Sequence, residues 1–412
     1  MYRRNIEPAV EAALKDTRVV LLNGARQTGK STLVQKIAEG RDARYLTLDD
    51  EAVLAVARGD PSALLRASPQ MTVIDEVQRA PELFPAIKIE VDRNRSPGRF
   101  LLTGSANVFL LPRLSESLAG RMEILPLLPL SQDEIAGGRS TFIDLLFSSA
   151  EWPTRKSTVD RIDICRRIIV GGYPEVLTRE THDRRSAWFR SYLSSLIQRD
   201  IRDLSTIDGL TDLPRLLGLI AARSSALMNM SELSRSTGIA NSTLRRYLSL
   251  LEAIFILQPL PAWSTNTGKR FVKSPKIHLV DTGLAAHLRG DTDPRPLSQS
   301  NNIGSLLETF VVQELRKQLT WSKTPATPYH YRSAAGREVD LVLELAGGAV
   351  SGIEIKAAAK VGQADFAGLR SLAEDAGRKF VRGVLLYLGD HFLPFGDKLA
   401  AVPINELWAK NH

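Results

Sequence analysis

"RVVLLNGARQTGKSTLVQKIA", residues 18–38, is an apolar run, then a loop bearing two glycines, then a segment with Leu33, Val34 and Ile37 at helical spacing. Its Gly24-Ala25-Arg26-Gln27-Thr28-Gly29-Lys30-Ser31 fits the pattern GxxxxGK[ST], and here the pattern sits between a predicted strand and a predicted helix. The residue types suit the chemistry. Glycines let backbone N–H groups turn inward around phosphate at a helix N-terminus, Lys30 reaches the β and γ oxygens, and Ser31 offers a hydroxyl to Mg²⁺. Gly24, Gln27, Thr28 and Gly29, with Lys30, Ser31 and Thr32 where the helix begins, are the expected cradle for ATP.

Working outward, "MTVIDEVQ" (71–78) reads as a strand delivering Asp75 and Glu76. Asp75 is the candidate for holding Mg²⁺ through water, and Glu76 for orienting the attacking water. "RFLLTGSAN" (99–107) ends in Ser105 and Asn107, which could sense a γ-phosphate. "RYLTLDD" (44–50) and "MEILPLLPL" (122–130) bring the set to five strands, with helical stretches such as "PELFPAIKIEVDRN" (81–94) between them. Long connections demand a parallel sheet. In "SESLAGRMEIL" (115–125), Arg121 is the candidate cation for charge on the transferring phosphate, in cis or across a subunit boundary. The alternative is an arginine at a strand end with no such role.

The 412 residues are 43% hydrophobic and 24% charged, a globular composition long enough for two or three domains. A single cysteine, Cys165, excludes an internal disulfide and any cysteine-based zinc cluster, and the six histidines have no metal spacing. No apolar run approaches a membrane span and the start has no apolar signal core, so a soluble, cytoplasmic protein with no membrane partner is expected. The formal charge of +8 weakly favours a polyanionic partner.

Residues 136–160 are rich in Ser, Thr and Gly and read as a boundary. Beyond them "RSAWFRSYLSSLIQRDI" (185–201) has the helical period of a lid, and Arg199 or Arg202 is either a second nucleotide sensor or, the favoured reading, part of a solvated helix face. "MSELSRSTGIANSTLRRYLSLLEAIFIL" (230–257) reads as helix, turn at Thr237-Gly238, and a second helix capped by Asn241 or Ser242. Residues 255–281 look like a hairpin after it, so the unit resembles a winged helix. From Asn241 to His278 the basic residues Arg245, Arg246, Lys269, Arg270, Lys273 and Lys276 face one acid, Glu252. Such residues would give salt-sensitive contacts to nucleic acid, DNA more than RNA, although a docking surface for protein is the competing reading.

After the polar stretch 290–302 comes "IGSLLETFVVQELRKQL" (303–319), a helix carrying Glu308. "GREVDLVLELAGGAVSGIEIKAAAK" (336–360) then reads as two strands, the first bearing Asp340 and the second Glu354 and Lys356 on one face. A helix over 357–377 and a strand from Arg382 follow. This order looks like the PD-(D/E)xK nuclease fold. In that fold the carboxylates, here Glu308, Asp340 and Glu354, hold Mg²⁺, and the lysine, here Lys356, positions or activates the nucleophile against a phosphodiester. Glu338 either substitutes for Asp340 or flanks it.

Taken in order, "GARQTGKSTL", "VIDEVQRAPELF", "LLTGSAN" and "LAGRMEILPLLPLSQDE" resemble the AAA-type ATPase domain of the prokaryotic family that pairs it with a C-terminal DUF4143 domain. "GGYPEVL" at 171, "YLSSLIQRDIRDL" at 192, "DTGLAAHL" at 281 and "REVDLVLE" at 337 are similar to later blocks of that family. The expected chain is α/β: a P-loop AAA-type core (1–140), a linker and helical lid (141–230), a winged-helix-like domain (231–290) and a PD-(D/E)xK-like domain (303–412). It implies an ATP- and Mg²⁺-dependent enzyme acting on nucleic acid, catalytic at Glu76, Arg121, Asp340, Glu354 and Lys356. The alternative is an ATP-driven switch or scaffold whose last domain does not cut. Assembly into a homo-oligomer is compatible with either.

Overall fold

A computed structural model describes residues 2–66, 70–106, 118–154, 156–201 and 210–409. The chain forms two compact units, one chiefly Arg3–Leu130 with Ser249–Ile256, the other Ser131–Leu248 with Leu257 onward.

The first unit is a sheet of five parallel strands: β1 (Val19–Asn23), β2 (Ala43–Thr47), β3 (Met71–Asp75), β4 (Phe100–Gly104) and β5 (Met122–Pro126), in the order β2-β3-β4-β1-β5. The three central strands are wholly buried and the two edge strands only partly, as a sheet covered on both faces requires. Alternation along β1 splits its side chains between two cores. Val19 and Leu21 pack with Leu83, Phe84 and Ile87 of the helix Leu83–Arg93, while Val20 and Leu22 pack with Val10 of the helix Glu7–Asp16 and Leu33, Val34 and Ile37 of the helix Lys30–Ala38.

This unit ends at Leu130, short of the boundary expected at 140, because Ser131–Ile135 belongs to the second unit. Ser131 and Glu134 form a reciprocal capping box at the start of a buried turn. Glu314 then accepts from the Gln132 amide at 2.7 Å, and Arg167 donates to the Gln132 side chain at 2.7 Å.

In the second unit two of the quoted blocks meet. Asp281 caps the helix Thr282–Arg289 through the Leu284 amide (2.9 Å) and also accepts from the Gly172 amide (2.7 Å). Gly171 has φ 71°, and a Cβ there would lie 2.3 Å from an Asp281 carboxylate oxygen, so the contact requires glycine. Tyr173 packs in the same region against the rings of Trp188, Phe189 and Tyr192, tilted or edge-on, its hydroxyl 2.9 Å from that of Tyr192.

The helix Met230–Thr237 ends at Gly238 (φ 75°) and the helix Asn241–Ala253 follows. Next come the antiparallel strands β6 (Leu257–Leu260) and β7 (Lys276–Leu279), with a short helix, Thr267–Val272, in their connection where a plain hairpin is expected.

The last sheet has six strands: β8 (Ala326–Arg332), β9 (Glu338–Leu345), β10 (Val350–Lys356), β11 (Phe380–Tyr387), β12 (Leu393–Pro394) and β13 (Leu399–Pro403), ordered β12-β13-β11-β10-β9-β8. β8, β9 and β10 are antiparallel neighbours, and β10, β11 and β13 are parallel. The helix expected over 357–377 is shorter, Ala367–Ala376, because Gly362 is extended and its amide is taken by Asp365 at 2.8 Å. No helix among the described residues is long and apolar enough to cross a membrane.

Candidate functional site

Because the first sheet is parallel, whatever follows β1, β3 and β4 gathers at one edge. Asn23 pairs with Gly104 and Thr47 with Asp75, so the loop after β1, the Asp75-Glu76 step and Ser105 emerge together. The loop itself is tightly specified. Gly24 has φ 151° and a Cβ there would meet the Leu127 carbonyl at 2.1 Å. Gln27 and Gly29 also have positive φ, at 64° and 92°. Lys30 is buried, with Nζ 2.9 Å from the Gly24 and Ala25 carbonyls, and Thr28 donates inward to Ala25 O at 3.0 Å. Thr32 is exposed on the first turn of the helix.

Asp75 is the hub. One of its oxygens accepts from Ser31 Oγ at 3.0 Å and from Thr103 Oγ1, the other from Tyr45 OH at 3.0 Å. Burial, then the charge of Asp75, pushes the Tyr45 phenol up, so it stays a donor. A carboxylate and a hydroxyl in contact where the loop enters its helix form a hard-oxygen donor pair that suits Mg²⁺, which would neutralise phosphate charge there. Ser31 and Asp75 are the residues that would hold it.

Glu76 has φ 60°, an uncommon conformation for a side chain of its size. Its amide donates to Thr103 Oγ1 at 2.9 Å and its carboxylate accepts from Ser105 Oγ at 2.9 Å and from Gln78 Nε2. Gln78 Nε2 also reaches Ser105 Oγ at 2.8 Å, which closes the triangle. Sequence reading missed Gln78, Thr103 and Tyr45; "VIDEVQ" contains the first, but nothing in the spacing gives it a role. It also missed Arg4, a buried residue whose guanidinium donates at 2.7 Å to the carbonyls of Thr28 and Leu128. Arg4→Ala is expected to lower stability by about 3 kcal/mol, two charge-assisted hydrogen bonds at about 1.5 kcal/mol each. It should also weaken nucleotide binding, checked by urea unfolding and nucleotide titration.

Arg121 lies elsewhere. It immediately precedes β5, whose Met122 pairs with Val19, the first residue of β1, so it sits at the sheet edge opposite the phosphate loop. Its guanidinium forks onto Asp92 at 2.7 and 2.9 Å and holds that carboxyl below its usual range. A cis role on phosphate bound at its own loop is thereby corrected: five residues of strand separate the two edges. Asn107, Arg202 and the Arg199 side chain lie outside the described residues.

A second cluster lies within the second unit. Glu308, on the helix Ile303–Leu319, and Asp340, on β9, converge as expected, but Lys276 of β7 stands between them, its Nζ 2.6 Å from Glu308 Oε1 and 3.0 Å from Asp340 Oδ1. β9 and β10 stay in register only to Leu341–Ile353; beyond that Asp340 Oδ2 takes the Ile355 amide at 3.0 Å in place of a backbone partner. Lys356 Nζ is 2.9 Å from Glu354 Oε1, and Glu354 Oε2 is buried without a hydrogen-bond partner. Burial, reinforced by the charge of Asp340, pushes the carboxyls of Glu308 and Glu354 up to about 8.

These residues do not fit a divalent cation. An ammonium already fills the space between Glu308 and Asp340, and among the described residues no group of three or more carboxylate, imidazole or thiol side chains is placed to hold a metal. The expected Mg²⁺ site at Glu308, Asp340 and Glu354 is corrected accordingly. Glu338 only flanks the cluster, paired with Arg332 at 3.1 Å. Lys276, expected among the nucleic-acid contacts, is buried in this ion pair, and Arg270 is held by a fork onto Glu344.

Residues 16–136 match the AAA domain family AAA_14, residues 161–295 a domain of unknown function (DUF8612), and residues 303–407 a domain of unknown function (DUF4143). DUF8612 spans both the expected lid and the helix–turn–helix. The uncharacterized protein Rv2008c of Mycobacterium tuberculosis is 32% identical over 406 residues, covering 98% of this chain and 84% of that protein. The uncharacterized protein MJ1544 of Methanocaldococcus jannaschii is 22% identical over 326 residues, 75% of this chain and 69% of that one. Among solved structures, the Walker-type ATPase PABY2304 of Pyrococcus abyssi aligns with 70% of this chain and 96% of its own at 13% identity and a TM-score of 0.44. The Thermotoga maritima RuvB Holliday junction branch migration motor aligns with 62% of this chain and 89% of its own at 20% identity and a TM-score of 0.30. The chain belongs to the family of Rv2008c, and in it an AAA-type P-loop domain is joined to a C-terminal DUF4143 domain.

Proposed function

We propose that this protein is an ATP-hydrolysing switch that binds nucleic acid and does not cut it. The observation that carries the ATPase reading is the Asp75 hub, which ties the phosphate loop through Ser31 to β3 and β4, beside a Glu76 carboxylate oriented by Ser105 and Gln78. In this reading the loop amides and Lys30 bind the phosphates, and Ser31 and Asp75 hold Mg²⁺. Glu76 orients water and accepts its proton. Ser105 couples Glu76 to the end of β4, a more specific role than direct contact with γ-phosphate.

The non-cutting reading of the last domain is supported by Lys276, which neutralises two of the three expected metal ligands. The nucleic-acid reading is supported by the helix–turn–helix followed by β6 and β7, the order of a winged helix, and by Arg245, Arg246, Lys269 and Lys273, which are exposed. Action of Arg121 on phosphate is confined to the site of a neighbouring copy in an oligomer.

The test is purified protein with end-labelled single-stranded, duplex and branched DNA, with Mg²⁺ or Mn²⁺, with and without ATP. Expected are ATP hydrolysis that Lys30→Ala abolishes, a mobility shift that weakens with salt, and intact DNA. Cleavage that disappears in Asp340→Ala would restore the nuclease and overturn the switch.

A further inference from the structure

The connection between β6 and β7 presents two adjacent apolar side chains to water. Phe271 and Val272 are each 86% exposed, at the end of a short helix with no buried residue. The tip is nonetheless anchored. Asn266 caps the helix through the Lys269 amide, and Arg270 turns inward, donating to Ser264 O at 2.7 Å and to Glu344 at 2.9 Å. Its guanidinium lies 5.0 Å from the centre of the Tyr329 ring and 5.7 Å from that of Trp263. A held tip pointing a phenyl ring outward is preorganised for a partner.

The surrounding charge restricts what that partner is. Between Thr265 and Pro275 the basic residues are Lys269, Arg270 and Lys273, and there is no acid. Lys269 and Lys273 are exposed on either side of the apolar pair, and Lys273 donates to Arg332 O at 3.1 Å with other protons to spare. The nearby acids are engaged, Glu344 by Arg270 and Glu338 by Arg332. A flat apolar group between two cations complements an unpaired base between two phosphates. A symmetric contact with a second copy would set the same lysines against each other.

We propose that Phe271 stacks on an unpaired base of single-stranded DNA, with Val272 packing beside it and Lys269 and Lys273 on the flanking phosphates. This deepens, and rests on, the nucleic-acid reading above. The tip then tells single strand from duplex, because a paired base is already stacked on its neighbours.

The full-length protein, with Phe271→Ala and Phe271→Trp, is titrated against a single-stranded oligonucleotide containing 2-aminopurine and against its duplex, by anisotropy and by 2-aminopurine emission. Phe271→Ala is expected to weaken single-strand binding about tenfold to a hundredfold and to lose the emission change. Phe271→Trp restores both, and ATP hydrolysis is unchanged in either variant. Wild-type binding that Phe271→Ala leaves intact sinks the stacking role while the nucleic-acid reading survives. Wild type binding neither form sinks both. If Phe271→Ala instead abolishes self-association, or adhesion to vesicles of phosphatidylserine and phosphatidylcholine, with DNA affinity unchanged, the tip belongs to a second copy or a membrane and the proposal is overturned.

Discussion

Lys276→Met is expected to destabilise the fold by about 3–5 kcal/mol at mildly alkaline pH, and by much less in acid. The lysine is 4% exposed and holds Glu308 and Asp340 at 2.6 and 3.0 Å. Burial alone would lower its pKa, but the charges of Asp340 and Glu308 outweigh that and raise it above the ordinary lysine value. The lysine therefore stays charged in the folded state throughout the range below pH 10.5, and the pH dependence of its contribution there comes from the carboxyls it holds. Methionine keeps the stem and removes the charge, leaving two buried carboxylates with no cation between them.

The sign of the pH dependence follows from the carboxyls. In the unfolded chain a glutamate releases its proton near pH 4.5, whereas folded Glu308 holds its own up to about 8. Between those values the native state carries the extra proton, so stability falls as pH rises. Without Lys276 the Glu308 carboxyl is pushed further up, and the fall extends to higher pH. Urea unfolding of wild type and variant at several pH values measures it. Parallel curves would mean that Lys276 does not compensate these charges.

Glu76→Gln is expected to slow ATP hydrolysis by about 10²–10⁴-fold with nucleotide affinity nearly unchanged. The amide keeps the size of the side chain and an acceptor for Ser105, but it cannot take a proton from water. Lys30→Ala should instead lose binding, because in the proposed reading its ammonium meets the phosphates. Phosphate release and nucleotide titration on both variants separate the two roles. Hydrolysis that survives in Glu76→Gln would remove Glu76 from the chemistry and leave its φ of 60° as a structural feature only.

Much of the architecture is legible in the sequence. Strand positions, parallel pairing in the first sheet and the convergence of the phosphate loop with Asp75 and Glu76 follow from local pattern: an apolar strand, its polar end and a long connection leave few topologies. The same logic placed Asp340 near Glu354 and put Glu354 and Lys356 on one face, since strand alternation is a local property. The two C-terminal strands β12 and β13 escaped because "FLPFGDKLAAVP" shows prolines and glycine more clearly than alternation.

Sequence by itself determined the AAA-type P-loop core and the order of elements from β8 to β11 in the last sheet. Tertiary structure alone decided what the charges do. Arg121 and the phosphate loop are on opposite edges because β5 runs parallel to β1, and a linear reading of motifs does not measure the length of a strand. Arg4 reaches Leu128 across 124 positions of sequence. Lys276 counts as one more basic residue until β7 carries it between Glu308 and Asp340. The physical reason is common to all three. A hydrogen bond or ion pair forms only when its partners come within a few ångströms, and only the folded chain sets which charges come that close.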